Sequence, residues 1–220
     1  MKLIRPALLA LILGFLPGLP VIAQTTAPKV EVKLFEATGV VKGKRYVFNA
    51  EFAAEHKIPV PAPFQFIAPT SDTHLNFIKP APGGTGIFKI FFTTLEKSVK
   101  SNLQFVPITI AEGETDTRLE ALQGLLKQAF VGAIPDKDRA EINTVRKTKV
   151  GSYPAIEMIG RYDGGADGVV VLRIVAIPDP KSEHGVLAII NALVKNVPMK
   201  AVSDILKTDA SRALTTFRYQ

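Results

Sequence analysis

The chain has no cysteine and no tryptophan, and only three of its 220 residues are histidine. Without cysteine no disulfide supports the fold and no thiol does chemistry. Stability must then come from core burial, which a chain of this length can supply. The histidines, His56, His74 and His184, show neither a His-x-x-x-His nor a Glu-x-x-His spacing. Asp72 and His74 would share one face of a strand. With Glu55 and His56 they would make a zinc or copper site only if the fold gathered them. These residues are read as solvated loop positions, and neither a metal nor a cofactor is expected.

Catalytic signatures are missing as well. There is no Gly-x-Ser-x-Gly elbow and no Ser-x-x-Lys motif. Gly39-Val40-Val41-Lys42-Gly43-Lys44 has the wrong glycine spacing for a phosphate loop and no Ser or Thr after its lysine. Gly83-Gly84-Thr85-Gly86 lacks the dinucleotide fingerprint, and both stretches read as turns. The carboxylate pairs Asp136 and Asp138, and Glu112 and Glu114, sit in polar surroundings where solvation is the default. A glycosidase would need two opposed carboxylates in a cleft. The chain is expected to be no enzyme; an exported hydrolase is the weakest alternative.

Long hydrophobic runs are confined to the start. Met1-Lys2-Leu3-Ile4-Arg5 is a charged opening, Ala7 to Leu16 is nearly unbroken apolar sequence, and Val21-Ile22-Ala23 offers small-residue cleavage positions. This is the pattern of a secretory signal. It is too short for a spanning helix, which needs about 20 apolar residues, and Pro17 and Pro20 interrupt it. Cleavage is expected after Ala23, leaving 24–220 as a single exported domain with no transmembrane anchor. No cysteine stands at the cleavage site, which excludes a lipid anchor there. Absence of disulfides in an exported chain favours the bacterial periplasm. Loss of Lys2 and Arg5 takes the formal charge from +7 to about +5. That modest basic balance suits anionic lipid, peptidoglycan or an acidic partner. Nucleic acid is not expected, because no aromatic-basic interleaved motif occurs.

The most β-prone stretch is Val169-Val170-Val171-Leu172-Arg173-Ile174-Val175-Ala176-Ile177, closed by Pro178-Asp179-Pro180. So apolar a run is expected to be buried on both faces. Tyr153 to Tyr162, joined to it by the turn-rich stretch Asp163 to Gly168, makes a hairpin read as the centre of the sheet. Further strands are expected at Val30 to Leu34, Tyr46 to Phe52 (which Ala53 to Lys57 could instead extend as a short helix), Ile87 to Phe92, Phe105 to Ile110 (weakened by Pro107) and Thr144 to Lys149. Val186 to Val194 is apolar enough for a strand or a buried helix; periodicity does not decide between them, and strand is favoured. The proline-rich segment around Phe64, Phe66 and Ile67 reads as a loop feeding a short edge strand. Leu119, Leu122, Leu125, Leu126, Ala129 and Phe130 recur at helical spacing to about Val131. Thr117 and Glu120 form a capping-box pattern at that helix's start. Ala201, Val202, Ile205, Leu206 and Ala210 predict a terminal helix. The order indicates α+β: a mostly antiparallel sheet with helices packed on it.

Gly151-Ser152-Tyr153-Pro154-Ala155, the charged strand Glu157 to Tyr162, the glycine turn, the strand Val169 to Ile177, a further apolar strand and a helix ending in Thr216-Phe217-Arg218-Tyr219 form one succession. It resembles the C-terminal half of the PsbP-like superfamily, which includes the DcrB-like exported bacterial proteins. The resemblance runs from about Thr144 to Tyr219. The N-terminal half departs from the pattern, lacking the tryptophan after the early strand and carrying a long proline-rich stretch. The resemblance implies a central antiparallel sheet with helices on both faces, no catalytic residues, and an adaptor or assembly role for membrane complexes.

Arg146, Lys147, Lys149, Arg161 and Arg173 come from adjacent predicted strands. Those on one face would form a basic patch for phosphate, carboxylate or a partner protein. Cross-strand pairing with Glu157 and Asp163 is the plainer reading. Phe64, Phe66, Phe77, Phe88, Phe91 and Phe92 read as core; a carrier of a small amphiphilic, lipid-like ligand would use them as a pocket instead. The leading expectation is a non-catalytic envelope protein that binds a partner through a sheet face or loop edge.

Overall fold

A computed structural model describes residues 34–36, 45–48, 64–69, 74–78, 88–93, 98–132, 134 and 139–219. The expected signal segment, His56, Asp72, Asp136, Asp138 and the glycine stretches at 39–44 and 83–86 lie outside them.

The strands are β1 (Leu34–Glu36), β2 (Arg45–Phe48), β3 (Phe64–Pro69), β4 (His74–Ile78), β5 (Phe88–Thr93) and β6 (Val99–Thr109). After helix α1 (Thr115–Gly132) come β7 (Ala140–Val150), β8 (Tyr153–Asp163), β9 (Val169–Pro178) and β10 (His184–Leu193). A 3₁₀ helix (Val202–Lys207), α2 (Asp209–Thr215) and β11 (Arg218–Tyr219) follow. Eight strands form one antiparallel sheet in the order β1-β4-β5-β6-β10-β9-β8-β7, and β11-β3-β2 form a small three-stranded sheet.

The long strands have two apolar faces, as their sequences require. In β9 every residue from Val170 to Pro178 is buried. Val170, Leu172, Ile174 and Ala176 point to one core, with Ile156 and Met158 of β8 and Leu187 and Ile189 of β10. Leu119, Leu122, Leu126 and Phe130 of α1 cover that face. Val171, Val175 and Ile177 point to the other core, with Val186, Ala188 and Ile190. Ile205, Ala210, Ala213, Leu214 and Phe217 close that side. The sheet is thus packed between α1 and the C-terminal helices, an α+β sandwich.

Four expectations need correction. The β8–β9 hairpin is internal but not central, because β10 folds back beside β6 and puts those two strands in the middle. The Phe64–Pro69 strand is not an edge; β11 and β2 pair with it on its two sides. The first backbone bond of α1 runs from Arg118 to the Glu114 carbonyl, so Thr117 lies inside the first turn and cannot cap it. The C-terminal pattern is two helices rather than one. Thr208 is extended (φ −68°, ψ 154°), and its hydroxyl donates to the Ile205 carbonyl while accepting from the Ser211 amide.

Val186 to Val194 falls mainly in strand β10. Pro107 lies beyond the described β5 pairing, which ends opposite Phe105, so among the described residues β6 has a neighbour there only in β10. Gly151 (φ +57°) makes the two-residue turn between β7 and β8, a left-handed position that favours glycine.

Candidate functional site

Strand β7 ends the large sheet, and among the described residues only β8 pairs with it. The pairing shifts between Ile142 and Thr144. Beyond that bulge Thr144 to Val150 run in regular register with β8, ending opposite Tyr153. This run reads Thr-Val-Arg-Lys-Thr-Lys-Val: three cations and no carboxylate. Its Val145 and Val150 tie it to opposite cores. The other positions are exposed or half-buried.

The register distributes the expected basic patch over both faces. Arg146 lies opposite Glu157, and Arg161 opposite Glu141. Arg173 lies opposite Ile159 and shares that face. Lys147 and Lys149 lie opposite Ile156 and Pro154, on the α1 side.

Glu157 holds two of the arginines. Arg146 Nε donates to Oε1 at 2.7 Å, and Arg173 Nε donates to Oε2 at 2.8 Å. The Glu157 and Arg173 side chains are 1 % and 8 % exposed, whereas that of Arg146 is 54 % exposed. Burial pushes the Arg173 guanidinium below its ordinary pKa, and the Glu157 carboxylate acts in the opposite direction. One carboxylate between two guanidiniums leaves positive charge in excess, and it emerges through Arg146 at the sheet edge.

On the other face Lys147 Nζ donates to Asp116 Oδ1 at 2.7 Å. That hydrogen bond raises the lysine pKa. Arg161 pairs with Glu141 at 2.6 Å, with both partners about half exposed. Asp163 pairs with Arg139 rather than with the patch. Lys149 is exposed and has no ion-pair partner among the described residues. Beside β7 a shallow groove of about 160 Å³ is lined by Leu119, Glu120, Gln123, Val145, Arg146, Lys147 and Ile156. Small-molecule sites commonly run from about 300 to 1,000 Å³, so this groove suits a side chain better than a whole ligand.

His74 and His184 do not meet. His74 lies opposite Thr93, which lies opposite Val99, whereas His184 lies opposite Thr109. They sit near opposite ends of β6, roughly 33 Å apart at the usual strand rise. Phe66 and Phe92 belong to the core, where the Phe66 ring packs on Phe105 at 5.0 Å and Phe105 on Phe217 at 5.8 Å.

Sequence reasoning did not single out Arg118 or assign Glu157 its buried role. Arg118 is buried under the β9–β10 turn and donates to the carbonyls of Asp179 (2.7 Å), Ser182 (2.8 Å) and His184 (3.4 Å). Its position beside Leu119 and four residues before Leu122 places it toward the buried side of the helix. Glu157 shares one strand face with buried Ala155 and Ile159, so strand period puts it on that inward face.

No protein-family profile matches the sequence, and no curated protein does. Solved structures do show similarity to it. Cyanobacterial PsbP (CyanoP) from Synechocystis sp. PCC 6803 is 12 % identical, with a TM-score of 0.50 over 83 % of this chain and 96 % of that one. The Ran-binding protein Mog1p of Saccharomyces cerevisiae is 9 % identical, with a TM-score of 0.46 over 81 % and 96 %. LpqN of Mycobacterium tuberculosis, involved in cell envelope biogenesis, is 11 % identical, with a TM-score of 0.33 over 84 % and 89 %. At these identities the likeness speaks to fold alone: the chain has a PsbP-like fold.

Proposed function

We propose that this chain is an exported, non-catalytic binding protein of the bacterial cell envelope that holds a protein partner at the β7 edge of its sheet. One observation carries the reading. The run Thr144 to Val150 presents three cations along an edge whose outer backbone groups have no neighbouring strand among the described residues. Export is supported by the charged, apolar and small-residue succession of the first 23 residues and by the resemblance of the C-terminal half to DcrB-like exported proteins. A binding role is supported by where the buried charges go. Glu157, Arg173 and Arg118 are spent on holding strands and a turn in place. At the edge Lys147 is held by the exposed Asp116, which a partner can replace, and Lys149 has no ion-pair partner among the described residues.

Cell fractionation combined with site-directed photocrosslinking tests this. A photoreactive residue is placed at Lys149 on the edge or at Lys181 on the β9–β10 turn, in the full chain expressed in a bacterial host. A periplasmic product with a discrete adduct from Lys149 and none from Lys181 is expected. Retention in the cytoplasm would remove the export reading. Equal adducts from both positions, or none, would remove edge binding.

A further inference from the structure

The chemistry of β7 narrows what its partner presents. We infer that the β7 edge takes an extended acidic peptide segment, which adds to the large sheet as a ninth strand along Thr144 to Val150. The inference rests on the edge-binding reading above and names its ligand class.

An edge strand has a row of backbone donors and acceptors facing solvent, and another extended chain satisfies them. Most exposed edges are short or interrupted. Here the bulge at Ile142 and Thr144 ends the regular register on one side and Gly151 turns the chain on the other. Between them lies a straight run long enough for about seven residues of partner, some 23 Å at strand spacing.

Charge selects what can pair. Two copies of this chain meeting edge to edge would bring Arg146, Lys147 and Lys149 against the same three cations. Like charges opposite one another oppose pairing. Lysine on an edge is a known guard against self-association. The same cations favour a segment with glutamate or aspartate at alternating positions on the face of Lys147 and Lys149, and one more on the face of Arg146. A carboxylate on one face of the added strand would meet Arg146, whose Nε is engaged with Glu157 and whose side chain is 54 % exposed. Carboxylates on the other face would meet Lys149 and Lys147. Lys147 is held by Asp116, a residue itself 77 % exposed, which an incoming acid can displace at small cost. The apolar floor of the adjoining groove, Leu119, Val145 and Ile156, adds a place for one apolar side chain of the same segment.

The test uses the mature protein and three capped synthetic peptides of about eight residues. The first alternates glutamate with valine and threonine. The second replaces glutamate with lysine. The third keeps glutamate but carries N-methyl groups on all its amides, which removes the donors from both edges. Binding is followed by titration calorimetry, and its place by amide chemical shifts and hydrogen exchange. The acidic peptide is expected to bind and to slow exchange at Thr144 to Val150. The lysine peptide is expected not to bind. The K147E/K149E double variant should bind the acidic peptide about tenfold more weakly at low salt. Both lysines are exposed, so circular dichroism should show an unchanged fold.

Equal binding of the methylated peptide would overturn strand addition, since only charge would then be read. Shifts that map away from β7 would overturn it as well. A Lys149 crosslink to an envelope protein without acidic-peptide binding would refute the ligand class and leave edge binding standing. Peptide binding at β7 without any envelope crosslink would refute the adaptor reading and leave the edge chemistry standing.

Discussion

Glu157 accepts from Arg146 and Arg173 at once, and the two arginines sit in different dielectric surroundings. Removing a buried partner leaves an uncompensated charge, whereas removing an exposed one does not. Glu157→Gln keeps the shape and one acceptor but strands the Arg173 charge among Val171, Val175 and Ile190. It is expected to lower stability by about 3 kcal/mol. Arg146→Ala should cost less than about 1 kcal/mol. Urea denaturation of both variants checks the contrast, and equal losses would mean that Glu157 acts by packing alone. Tyr162 gives a pH signature at the same scale. Burial first, and the Asp167 carboxylate second, push its phenol up from 10.0 to about 12. In the unfolded chain the phenol ionises near 10. The unfolded chain therefore sheds the proton first, and stability is full below pH 10 and falls as pH rises toward 12. The fall attributable to this group is about 2–3 kcal/mol. Thermal unfolding between pH 9 and 12 should show a shallower decline in Tyr162→Phe than in the natural chain.

At the scale of elements, α1 meets the sheet through one missing side chain. A Cβ at Gly160 would lie 2.6 Å from the Phe130 ring and 2.5 Å from the Glu141 carbonyl oxygen. Gly160→Ala is expected to cost about 1–3 kcal/mol through overpacking. In a Phe130→Ala background the added cost should be smaller, because the ring no longer opposes the methyl. A double-mutant cycle by chemical denaturation measures that coupling; strict additivity would show that the Glu141 carbonyl alone sets the conflict. The sequence makes such elements legible because their signals are local. The β-branched run of Val169 to Ile177, the leucine period of α1 and the glycines between β8 and β9 each sit within a dozen residues. Strand order does not. Nothing within Thr144 to Lys149 says that it is the last strand, so its cations read as a patch when they belong to two faces of an edge. Thr208 is another case. The apolar period from Ala201 to Ala210 continues through it, but its hydroxyl closes one helix and opens the next.

At the scale of the whole molecule, Phe217 to Tyr219 join the two sheets. Phe217 packs on Phe105 of the large sheet at 5.8 Å and on Tyr219 at 5.0 Å. Tyr219 donates its hydroxyl to the Ile177 carbonyl, and its amide donates to the Tyr153 hydroxyl at 3.1 Å. The Arg218 and Tyr219 strand pairs with β3, which in turn pairs with β2. β3 has no ladder with any strand of the large sheet. Its attachment is by side chains, Phe66 on Phe105, and through α2 and β11. Stability is then expected to be uneven, with the small sheet opening at lower free energy than β8, β9 and β10. Phe217→Ala removes the ring that bridges the two parts, at an expected cost of about 3–5 kcal/mol. Native-state hydrogen exchange by mass spectrometry should show where that cost falls. Peptides covering β2 and β3 should lose protection first and most, while β8 to β10 keep theirs until global unfolding. A uniform loss across both sheets would instead make the two a single cooperative unit, with the C-terminal strand an integral part of the one core.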